Sequence, residues 1–330
     1  MRRVNVSTLS LAALPAAFFL LTSCAGSAHD PAEKYILVAS HMKIAYWQAA
    51  AQGLSHAAAE MKVKSEVQGP DEHDAQGEHD AFRRAIAEKP SGILVSASDA
   101  AVLTPDINAA IDQGIPVITI DSDAPESKRL FFVGTDNYNA GLLGGKLTAK
   151  LLGGKGNVAF FTMDQPNLKD RLHGYQSAFA DHTDVKIMQT TDTNGNSDVA
   201  FDTTKKLIDS KAKVDAFVCL EAIACSAVAD VVNRAGMGGK MTIVAMDTDP
   251  STIDWINKGV ISATIAQKPY TMAYYGTKLL ADLHLHPPTP LAGDWGKNVS
   301  SPIPTFVDTG AFVVDKSNVG TLSKQQSSGQ

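Results

Sequence analysis

Cysteine, tryptophan and surplus positive charge are all scarce in this chain. Its 330 residues hold three Cys, three Trp, and 29 Lys and Arg against 35 Asp and Glu. No cluster of Lys and Arg stands out, which argues against a nucleic-acid partner. No G-x-S-x-G occurs, so hydrolysis by an activated serine has no support. The glycine-rich stretches GLLGGK and LLGGKGN lack the G-x-x-x-x-G-K-[ST] spacing of a phosphate loop, and read as a helix end capped by Gly. EHDAQGEHD (72–80) carries His73 and His79 six residues apart, off-register for one helical face, so no metal site is expected. The apolar run Leu9 to Leu21 is shorter than the roughly 20 residues of a membrane-spanning helix.

What that run does match is the core of an export signal, because Arg2 and Arg3 precede it. It ends on Leu21-Thr22-Ser23-Cys24, which resembles the lipobox of bacterial lipoproteins. The resemblance implies cleavage before Cys24 and lipid on that residue. Residues 1–23 are thus expected to be a lipoprotein signal peptide and 24–33 a tether, with the protein in the periplasm or on the cell surface. Its only contact with membrane would be the lipid anchor at Cys24. Loss of the leader leaves 27 basic and 35 acidic residues, a balance of −8.

From Lys34 onward, short β-branched runs alternate with longer Ala-rich amphipathic stretches: YILVA (35–39), GILVS (92–96), IPVITI (115–120), NVAFF (157–161), MTIVAM (241–246) and others like them. Continuous apolar runs separated by helices indicate parallel strands covered on both faces, so the fold class is α/β, doubly wound and Rossmann-like. The chain is too long for one such sheet, and two lobes are expected. The late strands near 305–307 and 311–314 must pair with sheets already built, so the chain is expected to recross between lobes. The expected division is 34–134 plus 268–307 for the N-terminal lobe, 136–266 plus 309–316 for the C-terminal lobe, and 317–330 as a frayed tail. Cys219 falls at a strand end and Cys225 in the next helix. An oxidising compartment permits a bridge between them, but two buried, unpaired thiols are the expectation.

In open α/β sheets, ligands sit beyond the carboxyl ends of the strands. That rule selects Ser40 to Trp47, Ser96 to Asp99, Asp121 to Asp123, Met163 to Arg171, Glu221 and Asp247 to Asp249. The adjacent aromatics Tyr46 and Trp47 point about 100° apart on a helix, so one apolar stripe does not readily bury both. Flat rings beside carboxylates and one guanidinium suit a sugar: rings cover its C–H faces, carboxylates accept from hydroxyls, and Arg donates to them. Each charge-assisted bond is worth about 1.5–3 kcal/mol.

The segments YILVAS, GILVSASDA, GIPVITIDSDAP, VGTDNYNAG, RLHGY, VAMDTDP and VISATIAQKPYTMAYYG occur in this order. Together they resemble periplasmic sugar-binding proteins of ABC transporters, of the ribose-binding type within the type I periplasmic binding fold, whose ligand core LacI-like repressors share. The resemblance covers nearly all of residues 34–316. It implies sugar contacts from Ser40, Tyr46, Trp47, Asp121, Ser122, Arg171, Glu221, Asp247 and Gln267, and a three-crossing hinge near Thr135, Gln267 and Asp308. Ribose binders carry Asn-Pro where this chain has Ile44-Ala45, Arg at Ser122 and Asn at Glu221. The expected pocket is therefore more acidic, and another pentose, a hexose, a polyol or an amine-bearing molecule fits as well as ribose.

The resulting expectation is a monomeric solute-binding lipoprotein, not an enzyme, without cofactor, that hands a sugar or polyol to an ABC permease. A protein of the same fold that presents ligand to a chemoreceptor or sensor kinase is the alternative. A repressor would need a DNA-binding segment where the export signal stands.

Overall fold

The computed structural model describes residues 29–322. The leader, Cys24 and the first part of the tether lie outside the described residues. Nine α-helices and twelve strands alternate through the described chain. The first sheet joins β1 (Lys34–Val38), β2 (Lys64–Gln68), β3 (Gly92–Val95), β4 (Val117–Ile120), β5 (Phe132–Gly134) and β11 (Phe306–Asp308). Their order is β11-β5-β4-β3-β1-β2, and every pairing is parallel. The second sheet joins β6 (Lys155–Thr162), β7 (Asp184–Asp192), β8 (Ala216–Cys219), β9 (Thr242–Met246), β10 (Ala263–Ala266) and β12 (Phe312–Asp315). Its order is β12-β10-β9-β8-β6-β7, with β12 alone antiparallel. This is the two-sheet, doubly wound α/β architecture expected from the apolar runs.

Parallel strands need a crossover connection, and the helices supply it while covering both faces. In β6 the pleat sends Phe160 and Phe161 to opposite sides, each into its own apolar cluster. Around the first sheet, α1 (Ala45–Met61) packs against α9 (Pro269–Leu285). Around the second, α4 (Asn137–Leu151) packs against α5 (Pro166–Ala180). The glycines after α4 act as the sequence suggests: Gly153 and Gly154 adopt positive φ and end the helix.

The chain passes between the two sheets three times, after β5, after β10 and after β11. The first and third passages are tied together: Thr309 donates its amide to the Gly134 carbonyl at 2.8 Å, and Asp308 accepts from the Asp136 amide at 3.1 Å.

Two expectations are corrected here. Cys219 and Cys225 form a disulfide, with Cα atoms 5.6 Å apart, instead of two free thiols. The turn after β8 brings the strand end over the first turn of α7 (Ala224–Arg234), a juxtaposition that spacing alone does not reveal. Residues 317–322, expected within a frayed tail, are instead packed: Val319 is buried in the second sheet's core and Leu322 packs beside it. No helix among the described residues is long and apolar enough to cross a membrane.

Candidate ligand-binding site

One cavity opens between the two sheets at the carboxyl ends of their strands. From the first sheet's side come Ser40, His41, Ile44, Tyr46, Trp47, His73 and Asp121. From the second come Met163, Gln165, Asn167, Arg171, Glu221, Asp247 and, just past β10, Gln267. Eight of the nine residues expected to touch ligand therefore surround one space, although they span more than 220 positions of sequence.

Ser122 is the exception and a correction. Its hydroxyl donates to the Ala97 carbonyl at 2.9 Å and its side chain is fully buried away from the cavity. The cause is local. Asp121 takes a left-handed φ of 66°, which turns the chain so that the carboxylate, not the next hydroxyl, meets the opening. Thr135 lies in the first passage between sheets, outside the cavity lining, with its buried hydroxyl unpartnered.

The aromatic pair divides its work. The Tyr46 hydroxyl donates to Asp121 Oδ1 at 2.5 Å, so this ring fixes a carboxylate. Trp47 packs edge-to-face on Tyr46, with centroids 5.4 Å apart, and lends its own surface to the cavity wall. Arg171 is only 2% exposed. Its Nη2 donates to Asn137 Oδ1 at 2.5 Å and its Nη1 to the Leu220 carbonyl, while Nε has no partner. Lys43, in the loop before α1, pairs at the surface with Asp71 at 3.1 Å and does not line the cavity.

Three carboxylates face that guanidinium. Asp247 accepts from Gln267 Nε2 at 3.0 Å. Glu221 caps α7, accepting from the amides of Ala224, at 3.0 Å, and Ile223. Burial pushes Asp247 and Glu221 up to about 7, against the pull of Arg171 on the first and of the two amides on the second. Asp121 is raised for the same reason, with the Tyr46 hydrogen bond opposing the shift. Desolvation holds His41 below its ordinary value.

Sequence reasoning selected the stretches that hold His41, Gln165 and Asn167 without singling those residues out, and it did not place His73 at the site. Asn167 reaches across the opening to Asp121 Oδ2 at 3.4 Å, leaving its own Oδ1 without a partner. It stands four residues before Arg171, on the same face of α5, a spacing that marks it as a neighbour. His41 follows Ser40 in the loop after β1, and His73 approaches Gln165 at 3.5 Å across the mouth.

The buried polar atoms without partners are informative as a group. His41 Nδ1, Asn167 Oδ1, Arg171 Nε and Gln267 Oε1 all belong to residues lining this one cavity. Buried polar groups are normally satisfied, and four orphans around one space describe the outline of a polar guest. Among the described residues, no group of three or more His, Cys, Asp and Glu is placed to hold a metal ion.

Residues 35–285 match the periplasmic binding protein domain. The chain belongs to this family. It is 24% identical over 262 residues to the D-allose-binding periplasmic protein of Escherichia coli, covering 76% of this chain and 84% of that one. Among solved structures, a sugar-binding protein of a sugar ABC transporter from Bacillus halodurans is 32% identical, covering 88% of this chain and 99% of that one with a TM-score of 0.78. GanP, a glucose-galactose binding protein from Geobacillus stearothermophilus, is 29% identical over the same shares with a TM-score of 0.79. The two sheets thus form the type I periplasmic binding fold, and the relatives named here are sugar-binding proteins of transport, not enzymes.

Proposed function

We propose that this family member encloses a single sugar or sugar-like polyol between its two α/β units and delivers it to the permease of an ABC transporter. The observation that carries the reading is the ring of unpartnered buried atoms, His41 Nδ1, Asn167 Oδ1, Arg171 Nε and Gln267 Oε1, beside the Trp47 face. Hydroxyls both donate and accept, so one polyhydroxylated ring satisfies donors and acceptors alike. Bulk water does the same less completely, because each molecule must be immobilised separately.

In this reading Ser40, Trp47 and Asp121 bind from one lobe, and Arg171, Glu221, Asp247 and Gln267 from the other. The passages near Thr135, Gln267 and Asp308 serve as the hinge. Ligand contacts that exist only when both walls meet favour the closed form, which the permease then recognises. Residues 1–23 direct export and Cys24 carries the anchoring lipid. The relatives that bind allose, glucose or galactose support a sugar; the acids in the wall leave the choice among pentoses, hexoses, polyols and amino sugars open to measurement.

A thermal-shift screen over those classes tests the reading. A true ligand at 100 times its Kd adds about 2.7 kcal/mol of stability. If no member of the panel raises the melting temperature at millimolar concentration, the sugar assignment fails.

A further inference from the structure

The Cys219–Cys225 bridge closes a short turn, with six residues of sequence separation, and that turn is part of the cavity wall. Cys219 is the last residue of β8 and Cys225 the second of α7. Between them, Glu221, Ala222 and Ile223 line the cavity. The Leu220 carbonyl accepts from Arg171 Nη1, and Glu221 accepts from the amides of Ile223 and Ala224. One turn therefore does two things: it carries an acid to the opening and holds one end of the only guanidinium in the lining. The other carboxylates are held without a covalent tie, Asp121 by Tyr46 and Asp247 by Gln267.

We propose that the bridge is a positioning element for ligand capture, holding residues 220–224 in the shape that anchors Arg171 and places Glu221. A staple acting chiefly on overall stability constrains the unfolded chain most when it closes a long loop, and this one closes a short loop. Both sulfurs are buried, so the bridge acts from beneath the wall and not as a ligand contact. A site's first layer binds well only when the layer beneath fixes it, and a shift of about 1 Å is enough to weaken it. The inference rests on the sugar-binding reading.

The test measures sugar affinity by titration calorimetry in the oxidised protein and in Cys219→Ala/Cys225→Ala, with circular dichroism showing each folded. Loss of the bridge is expected to weaken affinity about tenfold. In a Glu221→Gln background the same loss should cost much less, because the group being positioned is already altered. In an Asp247→Asn background, where the bridge touches nothing that changed, the two penalties should multiply. If the double-alanine variant does not fold, reduction and alkylation of the native protein, checked by mass, replaces it. Equal affinity with and without the bridge overturns the positioning role and leaves the sugar reading standing, as does a penalty that multiplies equally in both backgrounds. Failure of the unaltered, oxidised protein to bind any sugar overturns both.

Discussion

Asp121 and Asp247 occupy matching positions in the two halves of the molecule: each directly follows a parallel strand, β4 or β9, and each has a left-handed backbone, with φ of 66° and 67°. Non-glycine residues rarely adopt this conformation, and Asp and Asn are among those that tolerate it best. Both carboxylates face the cavity, one from each sheet, and both are buried. Strain of this kind is retained where it aims a side chain. The pair therefore reads as one device used twice, once per lobe.

Asn keeps the backbone preference and the shape while removing the charge. Asp121→Asn and Asp247→Asn are expected to fold normally by circular dichroism and to bind sugar at least tenfold more weakly, since a charge-assisted bond is worth about 1.5–3 kcal/mol. Calorimetry checks this. Unchanged affinity in both variants would make the two acids structural.

Much of this was legible in the sequence because buried parallel strands read as unbroken apolar runs, and each of IPVITID and MTIVAMD ends on an acid that lines the cavity. Ser122 was named because the family resemblance places a contact there, and matching residues by position does not foresee the turn imposed by a positive φ at Asp121. His41, His73 and Asn167 gave no periodic signal; they join the site only because two distant segments close over one opening. The disulfide was hidden for a similar reason, as the turn between β8 and α7 decides whether two cysteines meet. In each case the missing information was a change of chain direction, which depends on φ and ψ more than on residue type.

Arg171 and Trp47 should separate the polar and apolar parts of binding. Arg171→Ala removes the proposed donor to ligand and leaves Asn137 Oδ1 and the Leu220 carbonyl without it; affinity is expected to fall at least tenfold. Trp47→Ala removes the ring face and should weaken binding similarly, with a smaller heat-capacity change on binding because less apolar surface is covered. Asn137→Ala touches no ligand but frees one end of the guanidinium, so a smaller loss is expected. If Arg171→Ala and Trp47→Ala both bind as the parent does, the site lies elsewhere.

The ligand-free protein should lose stability as pH rises from about 6.5 to 8.5. Burial holds Asp247 and Glu221 at about 7 and Glu78, in α2 (Ala75–Ala87) against the Ser98 hydroxyl, at about 8. In the unfolded chain these acids release their protons near pH 4. Each raised carboxyl therefore contributes stability that is complete below about pH 4 and is lost as pH climbs through its folded value. His41 and His73, held low by burial, act in the opposite sense below about 6.5, which is why the informative window lies above it. Melting curves should show the decline, and Glu221→Gln with Asp247→Asn and Glu78→Gln should flatten it. A profile in that window that the three substitutions leave untouched would remove the assignment.

A close helix contact in the second lobe, between α4 and α5, links packing directly to the site. A Cβ placed on Gly141 of α4 would stand 1.9 Å from the Arg171 carbonyl of α5, and one on Gly174 of α5 would stand 2.1 Å from the Tyr138 carbonyl of α4. Both obstacles are backbone, so neither can swing aside, and the helices must separate to admit a methyl group. Overpacking of this kind typically costs about 1–3 kcal/mol. Gly141→Ala is expected to lower the melting temperature and also to weaken sugar binding, because moving α5 carries Arg171 and Asn167 away from their partners. The control is Gly114→Ala, at a surface turn with open space around it but a φ of 83°, which strains the backbone without touching the cavity. It should lower stability while leaving affinity intact. If Gly141→Ala behaves like this control, losing stability alone, then α5 is not what holds the guanidinium in place.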